Sequence, residues 1–141
     1  MAETNLTPRA LAEKIVKILD VKKAGNIKLL FVHDKTVLAD YFVLCTGNSN
    51  TQIRALANEV EFKIGESDGI HPAHIDGIDD SKWVVLDYSS VIVHVFGNDT
   101  RSFYNLEKLW ADAEDVDISG IIEPEGETQE KKPVSVVEEE L

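Results

Sequence analysis

A single cysteine, Cys45, is present in the 141 residues. The chain can therefore form no internal disulfide and no cysteine-based metal site, and a reducing compartment suits it. No apolar run reaches the ~20 residues that a membrane span needs. The start, Met1-Ala2-Glu3-Thr4-Asn5, has neither the basic residues nor the apolar block of a signal peptide, so a cytoplasmic protein is the expectation. A clustered basic patch is also missing. Net charge is −12, and residues 112–141, with eleven acidic residues and two lysines, carry −9 of it, leaving −3 for residues 1–111. That balance argues against a phosphate-backbone binder, and no sequence-specific nucleic-acid binding is expected. It fits a basic protein partner, because complementary charge speeds encounter, and it fits equally a simple aid to solubility. The glycine signatures of phosphate binding are incomplete. Gly47-Asn48-Ser49-Asn50-Thr51 precedes a helical pattern, but no Gly-Lys-Ser/Thr follows and the later glycines of a dinucleotide fingerprint are lacking. Capping of the following helix is the simpler reading of the loop.

What is there suffices for one folded domain. Hydrophobic residues make up 43% of the chain, a globular share. Thr7 and Pro8 open a helix as N-cap and first helical residue, Leu11, Ile15, Ile18 and Leu19 recur at helical spacing, and Gly25-Asn26 is expected to end it. Residues 27–33 and 41–46 read as strands that are apolar throughout, so both of their faces are covered. Cys45 lies inside the second as a small buried hydrophobe. A helix over 51–66 carries Ile53, Leu56, Ala57, Val60 and Ile64 on one stripe. Residues 70–77 form a weaker strand, placed at an edge by Pro72. After a hairpin come two short helices. One covers 100–104, with Asn98 or Asp99 as cap. The other covers 106–111 and buries Leu106, Leu109 and Trp110. Helices and strands in this order predict an α/β (α+β) fold, a mixed five-stranded sheet with flanking helices. Residues 1–111 form the domain. Residues 112–141, rich in Glu, Gly and Pro, are expected to be a mostly disordered acidic tail.

The stretch from Lys82 to Phe96 is the most specific signal. Two β-branched and aromatic runs flank Ser89-Ser90, a hairpin pattern. A two-residue turn sets Tyr88 against Val91, Leu86 against Val93 and Val84 against Val95, an apolar face for the core. The other face carries Trp83, Val85 and Asp87 against Phe96, His94 and Ile92, and it suits core packing and a partner surface alike. Asp87 and His94 fall diagonal to each other there, which predicts an ion pair that tunes the surface. No nucleophile stands beside them, so a hydrolytic triad is not indicated. His71, His74 and Asp76 sit close in sequence, with His94 the distant candidate, but they do not complete a metal shell. The layout resembles nucleotidyltransferase-like enzymes, yet the pair of carboxylates that would hold magnesium on the strand after Gly47-Asn48-Ser49 is missing. Neither a cofactor nor a catalytic residue is assigned.

Four motifs in order, Leu38-Ala39-Asp40-Tyr41-Phe42-Val43-Leu44-Cys45-Thr46-Gly47-Asn48-Ser49, Trp83-Val84-Val85-Leu86-Asp87-Tyr88, Val91-Ile92-Val93-His94-Val95-Phe96 and Arg101-Ser102-Phe103-Tyr104-Asn105-Leu106-Glu107-Lys108-Leu109-Trp110, closely resemble the ribosomal silencing factor, or Iojap, family. The resemblance spans roughly residues 7–111; Ser89-Ser90 departs from the usual Gly-Asp turn. It implies a nucleotidyltransferase-like fold without catalytic residues. It also implies binding to ribosomal protein fourteen of the large subunit, where it blocks joining of the small subunit and lowers translation when nutrients are short. Members also form homodimers, so a homodimer is a further implied state. The alternative function class is a nucleotidyl- or phosphoryl-transfer enzyme. On resemblance and face together, Trp83, Asp87, His94 and Phe96 are the expected partner contacts, Trp83 as apolar anchor and Asp87 opposite a basic side chain. Tyr104, Leu106 and Trp110 are expected to brace the hairpin, and Arg101 to pair with a nearby acidic group. The mixed hairpin face is thus expected to be a docking surface rather than a second core.

Overall fold

A computed structural model describes residues 6–122. The first helix, α1 (Pro8–Val21), begins as its sequence dictates: the Thr7 hydroxyl accepts from the Ala10 N–H at 3.1 Å and Pro8 fills the first turn. It ends sooner than Gly25-Asn26. Lys23 takes the left-handed turn at φ 68°, and Gly25 already opens strand β1 (Gly25–Phe31). Glycine serves there by close approach, since a Cβ would stand 2.8 Å from the Thr46 hydroxyl. Strand β2 (Tyr41–Thr46) is buried at every residue. Helix α2 (Asn50–Asp68) is capped by Ser49, whose hydroxyl accepts from the Gln52 N–H at 3.1 Å, and closed by left-handed Gly69. Then follow β3 (His74–Asp76), β4 (Trp83–Asp87) and β5 (Val91–Phe96), the short helices α3 (Asn98–Tyr104) and α4 (Leu106–Leu109), and β6 (Glu114–Asp115).

The strands form one mixed sheet in the order β3-β4-β5-β2-β1-β6. The central pair β2 and β5 is parallel and every other pair is antiparallel. The expected α+β architecture holds, with six strands where five were expected. The sixth comes from the segment read as tail. Glu114 and Asp115 pair with Phe31 and Leu30, Val116 donates its N–H to the Leu29 carbonyl at 2.8 Å, and its side chain lies in the core. Ile118, Ile121 and Ile122 pack against that core. Acidic neighbours hide these apolar residues in a composition average, and the free edge of β1 supplies the partner that the sequence did not show. The remainder of the expected disordered tail, 123–141, lies outside the described residues.

One sheet face packs on α1 and α2, where Leu11, Ile15, Leu19, Ile53, Leu56, Val60 and Ile64 meet Val43, Cys45, Val84, Leu86, Val93 and Val95. Burial pushes the Cys45 thiol up to about 12, which makes it an inert hydrophobe. The opposite face carries a smaller core of Leu30, Val32, Ala39, Phe42, Leu44 and Phe96, roofed by α3 and α4. No helix among the described residues is long and apolar enough to cross a membrane.

Candidate functional site

The hairpin of β4 and β5 adopts the register that its alternation predicts. Trp83 faces Phe96, Val84 faces Val95, Val85 faces His94, Leu86 faces Val93 and Asp87 faces Ile92. Tyr88 donates its N–H to the Val91 carbonyl at 2.9 Å, and Ser89 turns the chain at φ 73°. That conformation is costly for serine. It is held by the Asp87 carboxylate, which accepts from the Ser89 N–H at 2.8 Å, the local bond that makes Asp a turn residue. Asp87 is therefore occupied with the turn, not with His94, and the expected Asp87–His94 ion pair does not form. Among the described residues Asp87 takes part in no ion pair, and its side chain stays partly exposed.

His94 has a different partner. The Trp83 indole N–H donates to His94 Nδ1 at 3.1 Å. An imidazole that accepts at Nδ1 carries its proton on Nε2. His94 is 8% exposed, and burial drives its pKa down to about 4, so the ring is neutral at physiological pH. Nε2 is buried with no hydrogen-bond partner; among the described residues the Tyr88 hydroxyl is the other such side-chain atom.

Around this pair the structure assembles an aromatic cluster from β2, β4, β5, α3 and the residue that ends α4. Phe42 of β2 meets His94 edge-on at 5.2 Å and Trp110 edge-on at 5.1 Å. Trp83 lies 5.5 Å from Phe96 and 4.9 Å from Tyr104, and Tyr104 meets Phe103 edge-on at 4.9 Å. Separations of this size are favourable offset and edge-to-face contacts, about 0.5–1.5 kcal/mol each beyond burial. The expected docking face is thus divided. Phe96 is fully buried and His94 nearly so, because α3 and α4 fold back over them, and both act from beneath. Trp83 is half-buried at the rim. Tyr104 at 56% and Phe103 at 79% exposed continue an apolar surface outward from it, and Leu109 of α4 is 72% exposed. Leu106 and Trp110 pack against the smaller core. Leu109, expected to be buried, points out instead. Neither Phe103 nor Leu109 is marked as a surface contact by sequence, since helical spacing suits them equally to a core.

Arg101 latches the roof. It is 7% exposed. Its Nε and Nη2 donate to the two Glu107 oxygens at 3.0 and 3.2 Å, and its Nη1 donates to the Asn26 carbonyl at 2.8 Å. Its guanidinium carbon lies 5.6 Å from the Phe96 ring centre, within cation–π range. The Asn26 carbonyl is available because β1 breaks register between Gly25 and Lys28 and Asn26 sits at φ 45°; such irregularities re-aim backbone groups. The bond from Arg101 holds the Glu107 carboxyl below the usual range. Neither Asn98 nor Asp99 caps α3: Gly97 is its N-cap, without a side-chain bond.

The other candidates fall elsewhere. His71, His74 and Asp76 are exposed, and among the described residues no group of three His, Cys, Asp or Glu side chains is arranged to hold a metal ion. The Gly47–Asn50 loop lines an open groove of roughly 540 Å³ shared with Lys82 and Asn98, and its Ser49 hydroxyl is engaged in the helix cap.

Residues 5–140 match the family described as "Ribosomal silencing factor during starvation". A ribosomal silencing factor of Halalkalibacterium halodurans is 38% identical over 117 residues, 83% of this chain and 99% of that protein. One of Bacillus subtilis is 45% identical over 94 residues, 67% of this chain and 79% of that protein. A crystal structure of a Chromobacterium violaceum protein superposes with a TM-score of 0.72 at 30% identity, covering 74% of this chain and 87% of that one.

Proposed function

The chain belongs to the ribosomal silencing factor family, and from that premise we propose that it binds the large ribosomal subunit through ribosomal protein fourteen and blocks joining of the small subunit by occupying the joining surface. The mechanism is steric and needs no turnover, so the protein is not an enzyme and works in the cytoplasm, where ribosomes are. The observation that carries the reading is the apolar rim of Trp83, Tyr104 and Phe103 set on a packed aromatic base. Aromatic anchors on a rigid support, rimmed by polar groups, are the usual energetic centre of a protein interface. The partly exposed Asp87 carboxylate, with no ion pair of its own among the described residues, fits opposite a basic side chain of the partner. His94 and Phe96 support these contacts from below.

Sucrose-gradient sedimentation with separated subunits tests the proposal. The wild type is expected to travel with large subunits and to reduce their association with small subunits. Trp83→Ala and Asp87→Lys are expected to weaken the first effect and with it the second. Co-sedimentation of both variants at the wild-type level would refute the rim as the docking site. A wild type that travels with neither subunit would refute the silencing reading. A homodimer is part of the same reading and is measured by analytical ultracentrifugation of the free protein.

A further inference from the structure

The position of His94 is apolar on nearly every side. Phe42 meets the ring edge-on at 5.2 Å, Phe96 stacks at 6.2 Å, and Trp83 lies at 5.9 Å. A phenylalanine, though somewhat larger than the imidazole, would suit this aromatic surrounding with no polar atom to satisfy. The histidine instead brings one nitrogen that is bonded and one that is buried without a partner. Burying an unpartnered N–H opposes folding, so stability does not explain the choice of residue. The bonded nitrogen does. It accepts from the indole N–H of Trp83, the one anchor of the apolar rim that stands on the sheet itself. That bond reaches across the hairpin between residues on the same face, one strand apart. Trp83 has one other ring neighbour on the outer side, Tyr104, which is itself 56% exposed. Without the bond, the indole is held at the rim by stacking alone and gains rotamers that turn it off the surface.

We propose that His94 is a positioning residue for docking: through Nδ1 it fixes the orientation of the Trp83 indole, so that the rim meets its ribosomal partner already in the binding shape. The inference rests on the reading of the rim as the large-subunit contact. Preorganisation of this kind lowers the entropy lost on binding and shows in the dissociation rate more than in the association rate. It assigns His94 a role that needs no contact with the partner, which agrees with its burial. The charge state is fixed as well. No carboxylate is bonded to the ring, and the charged group of the cluster is the Arg101 guanidinium, which lies against Phe96 on the neighbouring position, so nothing in the cluster favours the protonated imidazole, which would lose its acceptor.

The test uses the full chain with His94→Phe and His94→Asn. The asparagine carbonyl oxygen can take the place of Nδ1 as acceptor, while phenylalanine cannot. Two readouts are taken. The first is the indole N–H signal of Trp83 in a nitrogen–proton NMR spectrum, assigned by its loss in Trp83→Phe, with its rate of hydrogen exchange. The second is the affinity for isolated large subunits. His94→Phe is expected to melt near the wild-type temperature, to show a shifted and faster-exchanging Trp83 indole signal, and to bind large subunits about tenfold more weakly, the effect of losing one hydrogen bond. His94→Asn is expected to restore the slow exchange and most of the affinity. If His94→Phe frees the indole yet binds as tightly as the wild type, the positioning role is wrong while the docking site stands. An unchanged indole signal in His94→Phe would show that the bond does not hold Trp83, and overturns the proposal directly. Absence of binding by the wild type overturns the docking reading and the proposal with it, whatever the indole does.

Discussion

Replacing Arg101 by methionine removes a latch that ties together β1, α3, α4 and the base of the aromatic cluster. Methionine keeps much of the length of the stem and deletes the charge, so the loss reports the polar contacts rather than a cavity. The wild-type side chain makes three hydrogen bonds, two of them a bidentate fork on the Glu107 carboxylate, the strongest type of side-chain pair. Removing one partner of a fully buried pair costs about 3–5 kcal/mol, because the other charge is stranded. Here the strand is partial. The Arg101 side chain is 8% exposed but that of Glu107 is 32% exposed, and Lys28 approaches the same carboxylate at 3.7 Å, so water and Lys28 recover part of the loss. Asn26 is exposed and its carbonyl can be rehydrated. The lower end applies, about 3 kcal/mol. Urea denaturation should show this as a lower midpoint with little change in slope. A double-mutant cycle with Glu107→Gln should assign more than about 1 kcal/mol to the pair. A total loss below about 1 kcal/mol would refute the latch and leave α3 and α4 held by aromatic packing alone. Since the latch fixes the roof that bears Tyr104, the variant should also bind large subunits less tightly than the wild type.

Acid should weaken the fold in two stages. His94 has its pKa depressed to about 4 in the native state against about 6.5 unfolded, so the unfolded chain binds the proton first and stability falls as pH drops from 6.5 towards 4, by on the order of 3 kcal/mol at most. His94→Phe should flatten that part of the urea-midpoint profile, and an unchanged profile would contradict the buried neutral ring. The Glu107 carboxyl is also depressed; its contribution is complete above the ordinary carboxylate range and is lost as pH falls through its lowered native value, a loss that Glu107→Gln should remove. Val116→Ala should cost about 2 kcal/mol in the same assay, because the side chain is 6% exposed in the core and leaves a cavity; a neutral result would argue that the β6 segment is dispensable. Gly77→Ala should cost more than about 2 kcal/mol, since Gly77 sits at φ 84° and a Cβ would stand 2.1 Å from the Trp83 carbonyl, whereas Gly69→Ala, at φ 67° with open space around it, should cost only about 1 kcal/mol. Equal losses at the two glycines, measured by thermal melting, would refute the clash.

Much of this architecture is legible in the order of residues because it depends on local periodicity. Thr7-Pro8 and Ser49 start helices through bonds to amides within three residues, and alternation across Ser89-Ser90 sets the hairpin register, since a slip of one residue would turn every apolar side chain outward. The motifs that carry the family likeness are read in the same way. The proposed docking face was not fully legible. Trp83, His94 and Phe96 alternate correctly onto one face, but alternation does not say what lies above them. That was decided by α3 and α4 folding back, which buries Phe96 and His94 and leaves Trp83, Tyr104 and Phe103 at the rim. The fold-back depends on Arg101 reaching a carbonyl of residue 26, 75 positions away in the chain. For the same reason Asp87, placed near His94 by register, turned out to hold its own turn while Trp83 took the imidazole. The strand at Glu114–Asp115 likewise forms against an edge that only the assembled sheet presents. Local pattern thus determined which faces exist in this protein. Which face is covered, and by what, was decided by contacts between distant segments, whose energies depend on a geometry that no short window of sequence contains.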